Sequence, residues 1–153
     1  MADESAKRYH LAQYNIARLV APLDDLRLAD FVANLDFINR LGDITRGFVW
    51  RHQTEDGNST SVRVRDDPLL IINLTVWESI EQLFEFAYRS DHVEFYRRRR
   101  DWFDAPSEAH LVLWCVPAGH IPTIEESEQR LDYLRAQGPT PHAFTFKQRF
   151  GPP

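Results

Sequence analysis

His92, Tyr96, Arg99 and Phe103 recur at i, i+4, i+7 and i+11, the spacing that aligns side chains along one face of an α-helix. An imidazole, a phenol, a guanidinium and an apolar ring on one stripe suffice for acid–base work on a small molecule. Histidine takes and returns protons near neutral pH. A guanidinium steadies an oxyanion, and aromatic rings hold a planar substrate and keep water out. His92, Tyr96 and Arg99 are therefore the candidate catalytic residues, with Phe103 as a wall. Stripes of this kind also occur on helices that only pack and pair, so what matters is whether they face a cavity. The stripe lies in Trp77–Phe103, which holds one histidine, two tyrosines, two tryptophans, four phenylalanines and five arginines.

The elements around the stripe follow from pattern. Tyr9–Ile16 alternates as a first strand, with Leu11, Gln13 and Asn15 on one parity and Ala12, Tyr14 and Ile16 on the other. Pro22, Asp24 and Asp25 open a helix whose face carries Leu28, Phe31, Val32, Leu35 and Ile38, with Gly42 expected as its C-terminal glycine. Phe48–His52 is a short strand. Asp56-Gly57 centres a turn, so Phe48–Gln53 and Val62–Arg65 either pair as a hairpin or enclose a loop. Pro68–Trp77 is the most strongly apolar strand. Ser79 with Gln82, and Thr123 with Glu126, have the spacing of capping boxes. Ser90 and Asp91 break and re-cap the first of these helices before the arginine-rich segment. His110–Val116 is a further strand, and Phe144–Phe150 reads as a short terminal strand on an edge or crossing to a partner. The order β-α-β-β-α-β predicts an α+β, ferredoxin-like antiparallel sheet with helices on one face.

One sheet face is then left without helices. Leu70, Ile72, Leu74 and Val76 are uniformly aliphatic and suit the helix side. Asn73, Thr75 and Trp77, aligned with Gln13, Asn15, Trp50 and Trp114, make a mixed face too apolar for water and too polar for a plain core. The candidate ligand-binding residues are therefore Asn15, Trp50, Asn73, Thr75, Trp77, Phe103 and Trp114. A homodimer through this open sheet face is expected to enclose a pocket for a small-molecule ligand, bounded by the helical segment 91–103.

Composition narrows the partners. The 153 residues suit one domain, with residues 1–8 as a flexible N-terminal tail and 9–150 as the folded unit. A net charge of −5 gives no global basic field, so no nucleic acid is expected despite the local run Arg97–Arg100. No apolar run approaches the roughly 20 residues that span a bilayer, and MADESAKRYH lacks the apolar core of a signal peptide. A cytoplasmic protein without a membrane partner is expected. Cys115 is the only cysteine, which excludes an intramolecular disulfide and a multi-cysteine metal cluster. The six histidines (10, 52, 92, 110, 120 and 142) form no HExxH motif or short ligand cluster, and GxSxG and glycine-rich phosphate loops are absent. No metal site is predicted.

The blocks YHLAQYNIARL, Leu74–Phe103 and Leu111–Phe146, with Trp77-Glu78-Ser79, Tyr88-Arg89-Ser90 and Pro117–Pro122 as their distinctive pieces, resemble the DUF3291 family, a domain of unknown function. The resemblance covers about Tyr9 to Phe146. It implies the dimeric α+β barrel superfamily, which includes cofactor-free monooxygenases, muconolactone isomerase-like proteins and haem enzymes, and it carries over no catalytic residues. The expectation is a small-molecule-binding protein, with monooxygenase- or isomerase-like chemistry on an aromatic or polyketide-like substrate and no bound cofactor. The alternatives are a non-catalytic ligand carrier or sensor, and a haem enzyme with His92 or His120 as axial ligand.

Overall fold

The computed structural model describes residues 8–54, 57–60 and 62–153. The expected tail, apart from Arg8, and the Asp56 half of the Asp-Gly turn lie outside the described residues. The strands are β1 (Tyr9–Arg18), β2 (Phe48–Arg51), β3 (Leu70–Trp77) and β4 (Leu111–Pro117). The helices are α1 (Ala29–Ile44), α2 (Ile80–Arg89), α3 (His92–Arg97), α4 (Arg99–Trp102) and α5 (Ile124–Gln137). The chain is a ferredoxin-like α+β domain, βαββαβ with α5 added, and its antiparallel sheet has the order β2-β3-β1-β4.

Local chemistry explains the boundaries. Ser79 Oγ accepts from Gln82 N at 3.3 Å and Thr123 Oγ1 from Glu126 N at 3.0 Å, caps that each contribute about 1 kcal/mol. Gly138, with φ 75°, ends α5. Gly42 does not end α1, as its position suggested. The helix continues to Ile44, and Gly42 is buried where an added Cβ would stand 3.5 Å from the Phe86 ring. It allows α1 and α2 to approach closely. The glycine that turns the chain is Gly47, at φ 91°, whose carbonyl accepts from Glu78 N at 2.7 Å.

Directly opposed residues of an antiparallel pair share a face, so register settles which side chains look where. Ala12, Tyr14 and Ile16 pair with Val76, Leu74 and Ile72, and Ala12 and Tyr14 also pair with Trp114 and Val112. Helix α5 covers this aliphatic face through Leu131 and Leu134. Gln13 and Asn15 pair with Thr75 and Asn73 on one side and with Leu113 and Leu111 on the other. The mixed face thus lies under α1 and α2, through Phe31 and Leu83, and under the segment 92–103. The expected sides are reversed: the helices of the βαββαβ unit take the mixed face, and the aliphatic face receives α5. The open sheet face through which a homodimer was expected is therefore absent among the described residues.

Of the two alternatives for Val62–Arg65, the loop holds: β2 pairs with β3, and Val64 bridges only Asp67. Two further expectations are corrected. Phe144–Phe150 is not a strand. Its one bridge is Phe144 to Leu113, with both backbone hydrogen bonds formed at 2.8 and 2.9 Å. Val32 is 45% exposed and lies off the buried stripe of α1. On the α5 side, Arg65 and Asp66 adopt φ of 56° and 53° in succession. That turn aims Arg65 Nε at Glu128 Oε1, 2.8 Å away, while buried Tyr14 donates its hydroxyl to Glu128 Oε2 at 3.0 Å. Burial and the neighbouring Glu128 push the Tyr14 phenol far above its ordinary range.

Gly47→Ala combines a positive φ with a Cβ only 2.7 Å from Gln82 Cβ, and neither strain is relieved by a rotamer change. A loss of about 1–3 kcal/mol is expected in urea denaturation; wild-type stability would show the β2 turn to be unconstrained.

Candidate functional site

Between the polar sheet face and helices α1 to α4 lies a cavity of about 280 Å³. Its floor is a row of amides and a hydroxyl. Gln13 Nε2 donates to Asn73 Oδ1 at 3.0 Å and to Thr75 Oγ1 at 2.9 Å, Asn15 Nδ2 donates to Gln13 Oε1, and Trp77 Nε1 donates to Thr75 Oγ1 at 2.9 Å. The Asn73 NH₂ group and the Asn15 carbonyl have no other partner among the described residues, so the floor keeps a donor and an acceptor for a ligand. The walls are aromatic and aliphatic. Phe31 packs on Phe95 and Phe103 at 5.5 and 5.3 Å between ring centroids, and Phe86 packs on Trp77 at 5.3 Å.

His92 lies against Phe86, 4.9 Å between centroids, at the start of α3. The α2–α3 break places it there: Ser90 Oγ accepts from His92 N at 3.1 Å and donates to Phe86 O. His92 Nδ1 stands 3.0 Å from the Ala87 carbonyl. A carbonyl only accepts, so Nδ1 carries the hydrogen and neutral His92 keeps a bare lone pair on Nε2. Burial pushes this imidazole below its ordinary pKa, opposed by the Ala87 hydrogen bond. The neutral, proton-accepting form therefore prevails near pH 7.

The arginine helix is not continuous: it breaks at Arg98 between α3 and α4. His92, Tyr96, Arg99 and Phe103 all line the cavity nonetheless. Arg99 lies over the Tyr96 ring at 4.1 Å and donates Nη1 to the Tyr96 carbonyl at 3.1 Å. Tyr88 packs edge-on against Tyr96 and Phe146, and burial raises its phenol pKa. At the β2 edge, His52 Nδ1 meets Ser59 Oγ at 2.7 Å, and that hydroxyl's one hydrogen goes to the His52 carbonyl at 2.8 Å. His52 therefore has the same tautomer as His92, and burial likewise lowers its pKa.

Of the residues named from sequence, His92, Tyr96, Arg99, Asn15, Asn73, Thr75, Trp77 and Phe103 come together around this cavity. Trp50 and Trp114 do not. A register shift between Phe48 and Trp50 turns Trp50 to the aliphatic face. Trp114 pairs with Ala12 rather than Gln13, is fully buried under α5, and donates Nε1 to Glu126 Oε2 at 3.0 Å. His120 also lies outside the cavity lining, its Nε2 2.7 Å from Glu126 Oε1. Gln13, Phe31, Phe48, Tyr88 and His52 also line the cavity and were not among the candidate ligand-binding residues. Gln13 and Phe48 were legible by parity, and Phe31 by the α1 stripe. Among the described residues no group of three or more His, Cys, Asp or Glu comes together to hold a metal ion. No helix among them is long and apolar enough to cross a membrane.

Fold and site together define a ferredoxin-like α+β domain with a small-molecule-sized cavity between its sheet and its helices. The chain belongs to the family described as a domain of unknown function, DUF3291, whose model matches residues 10–153. No curated protein matches it. Among solved structures it is similar to a conserved protein from Methanosarcina mazei Go1, at 11% identity and a TM-score of 0.50 over 76% of this chain and 97% of that one. It is also similar to PA3566 from Pseudomonas aeruginosa, at 13% identity and a TM-score of 0.48 over 74% and 98% of the two chains. A third similar structure, a Nitrosomonas europaea protein provisionally described as an antibiotic biosynthesis monooxygenase, has 10% identity and a TM-score of 0.48 over 76% and 96%. At these identities the likeness concerns the fold alone.

The lowered His92 pKa has a signed consequence. Between that pKa and the unfolded value of about 6.5 the unfolded chain binds a proton that folded His92 refuses, so stability is full above this window and falls as pH drops into it. His92→Gln should lose less stability than wild type in urea denaturation from about pH 7 to pH 5; parallel losses would mean that His92 is as solvated as in the unfolded chain.

Proposed function

We propose that the cavity binds a small planar aromatic or polyketide-like molecule and that His92 accepts a proton from its acidic hydroxyl or enol. The observation that carries this reading is the His92 tautomer: Nδ1 is occupied by the Ala87 carbonyl and Nε2 is bare, in a ring that burial keeps neutral. Proton loss from the ligand leaves an oxyanion or enolate, and the Asn73 amide is a lining donor that can receive its charge. Returned from His92 to a carbon of the enolate, the proton completes an enol-to-keto isomerisation. Reaction of the enolate with dioxygen would instead be a cofactor-independent oxygenation. The aromatic walls suit a ring and limit water.

The test is absorbance-monitored turnover of a panel of anthrones and hydroxynaphthoquinones. Wild type should convert at least one, and His92→Ala should slow it by about 10²–10⁴-fold. Full turnover by His92→Ala would remove the acid–base assignment. Ligand recovered chemically unchanged in native mass spectrometry would mark the protein as a carrier or sensor.

A further inference from the structure

Charge is distributed unevenly between this cavity and the rest of the molecule. The chain has 23 Asp and Glu against 18 Lys and Arg, yet no described residue lining the cavity is acidic. Two arginines line it. Arg51 is occupied: Nε and Nη2 meet the Asp43 carboxylate at 2.7 and 3.2 Å, and Nη1 donates to Gly57 O at 2.7 Å. Arg99 has no carboxylate partner among the described residues. On the same segment Arg97 pairs with Glu94 at 2.8 Å, and Arg98 with Asp30 at 2.9 Å and Asp101 at 3.1 Å; Arg100, like Arg99, has no carboxylate partner among the described residues but does not line the cavity.

The two contacts Arg99 does make, over the Tyr96 ring and to the Tyr96 carbonyl, orient the guanidinium without neutralising it. A guanidinium has five N–H donors in a fixed fork, so most of its donor capacity stays open. His110 also lines the cavity. Its pKa is lowered by burial and by the positive charges of Arg135 and Arg99, which fits a positive potential there.

We propose that the ligand is an aromatic carboxylate whose carboxyl group seats on the Arg99 fork. This rests on the function proposed above and names its substrate class. His92 and Arg99 line the same cavity from the starts of two successive helices, α3 and α4. A two-ring aromatic acid can present its acidic hydroxyl to His92 and its carboxylate to Arg99. Guanidinium and carboxylate match as a bidentate pair, while the apolar walls enclose the rings between them.

The probes are 6-hydroxy-2-naphthoate and its neutral isostere 6-hydroxy-2-naphthamide, titrated by isothermal calorimetry into wild type, Arg99→Gln and Arg100→Gln. Arg100 does not line the cavity and is the charge-matched control. Wild type and Arg100→Gln should bind the naphthoate at least about tenfold more tightly than the naphthamide, and Arg99→Gln should bind the two equally. Equal binding of both probes by wild type would overturn the carboxylate assignment and leave the aromatic cavity standing. Arg100→Gln losing the preference as fully as Arg99→Gln would also overturn it, by tracing the preference to diffuse charge. Binding of neither probe would overturn this proposal and the small-ring reading of the cavity together.

Discussion

A glutamine at 3% exposure in the middle of a sheet is the constraint from which the rest of this molecule follows. Gln13 sits on the central strand pair, and a buried primary amide costs several kcal/mol unless its hydrogen bonds are met. The chain meets them sideways, within the sheet face, through Asn73, Thr75 and Asn15. A row bonded in this way cannot also be pressed flat by apolar helix side chains, because its leftover donor and acceptor would then be sealed without partners. Helices α1 and α2 instead meet the sheet at its flanks, through Phe31 and Leu83. The space between them is the cavity, and its polar floor is the cause of its existence.

The same separation of roles orders the ionisable groups. Many carboxylates and arginines pair with one another on the outside or around α5, where Glu128 holds Arg65 and Tyr14, and Glu126 holds Trp114 and His120. Inside, both described histidines with a fixed tautomer, His52 and His92, present Nε2 as acceptors. A neutral acceptor and an unpaired cation in one apolar enclosure give a ligand orientation as well as affinity, since each end recognises a different group.

Legibility in the sequence followed the physics of each element. Alternation in β1 and β3, the two serine and threonine caps and the βαββαβ order were readable because each depends on neighbours a few residues away. The i, i+4, i+7 and i+11 stripe was readable for the same reason, and it survives the break at Arg98 because Phe103, although extended, still turns toward the cavity. The side of the sheet was not readable. Trp50 was misplaced by one bulge, and Trp114 by a register that no local pattern encodes, since a shift of one residue exchanges the faces. Gly42 was misjudged because a buried close approach and a helix end both favour glycine. The side that each helix covers rested on α5, which lies outside the βαββαβ unit and fills the face that the unit alone would leave bare.

The bridge at Phe144 has a meaning beyond its small size. By taking both backbone groups of Leu113, it plugs β4 at the middle of what would be an open edge. The opposite edge, β2, is four residues long and interrupted by a register shift. With both faces roofed and both borders blunted, the sheet offers little for a strand of another chain to zip onto, which is how soluble β-structure resists growing into fibres.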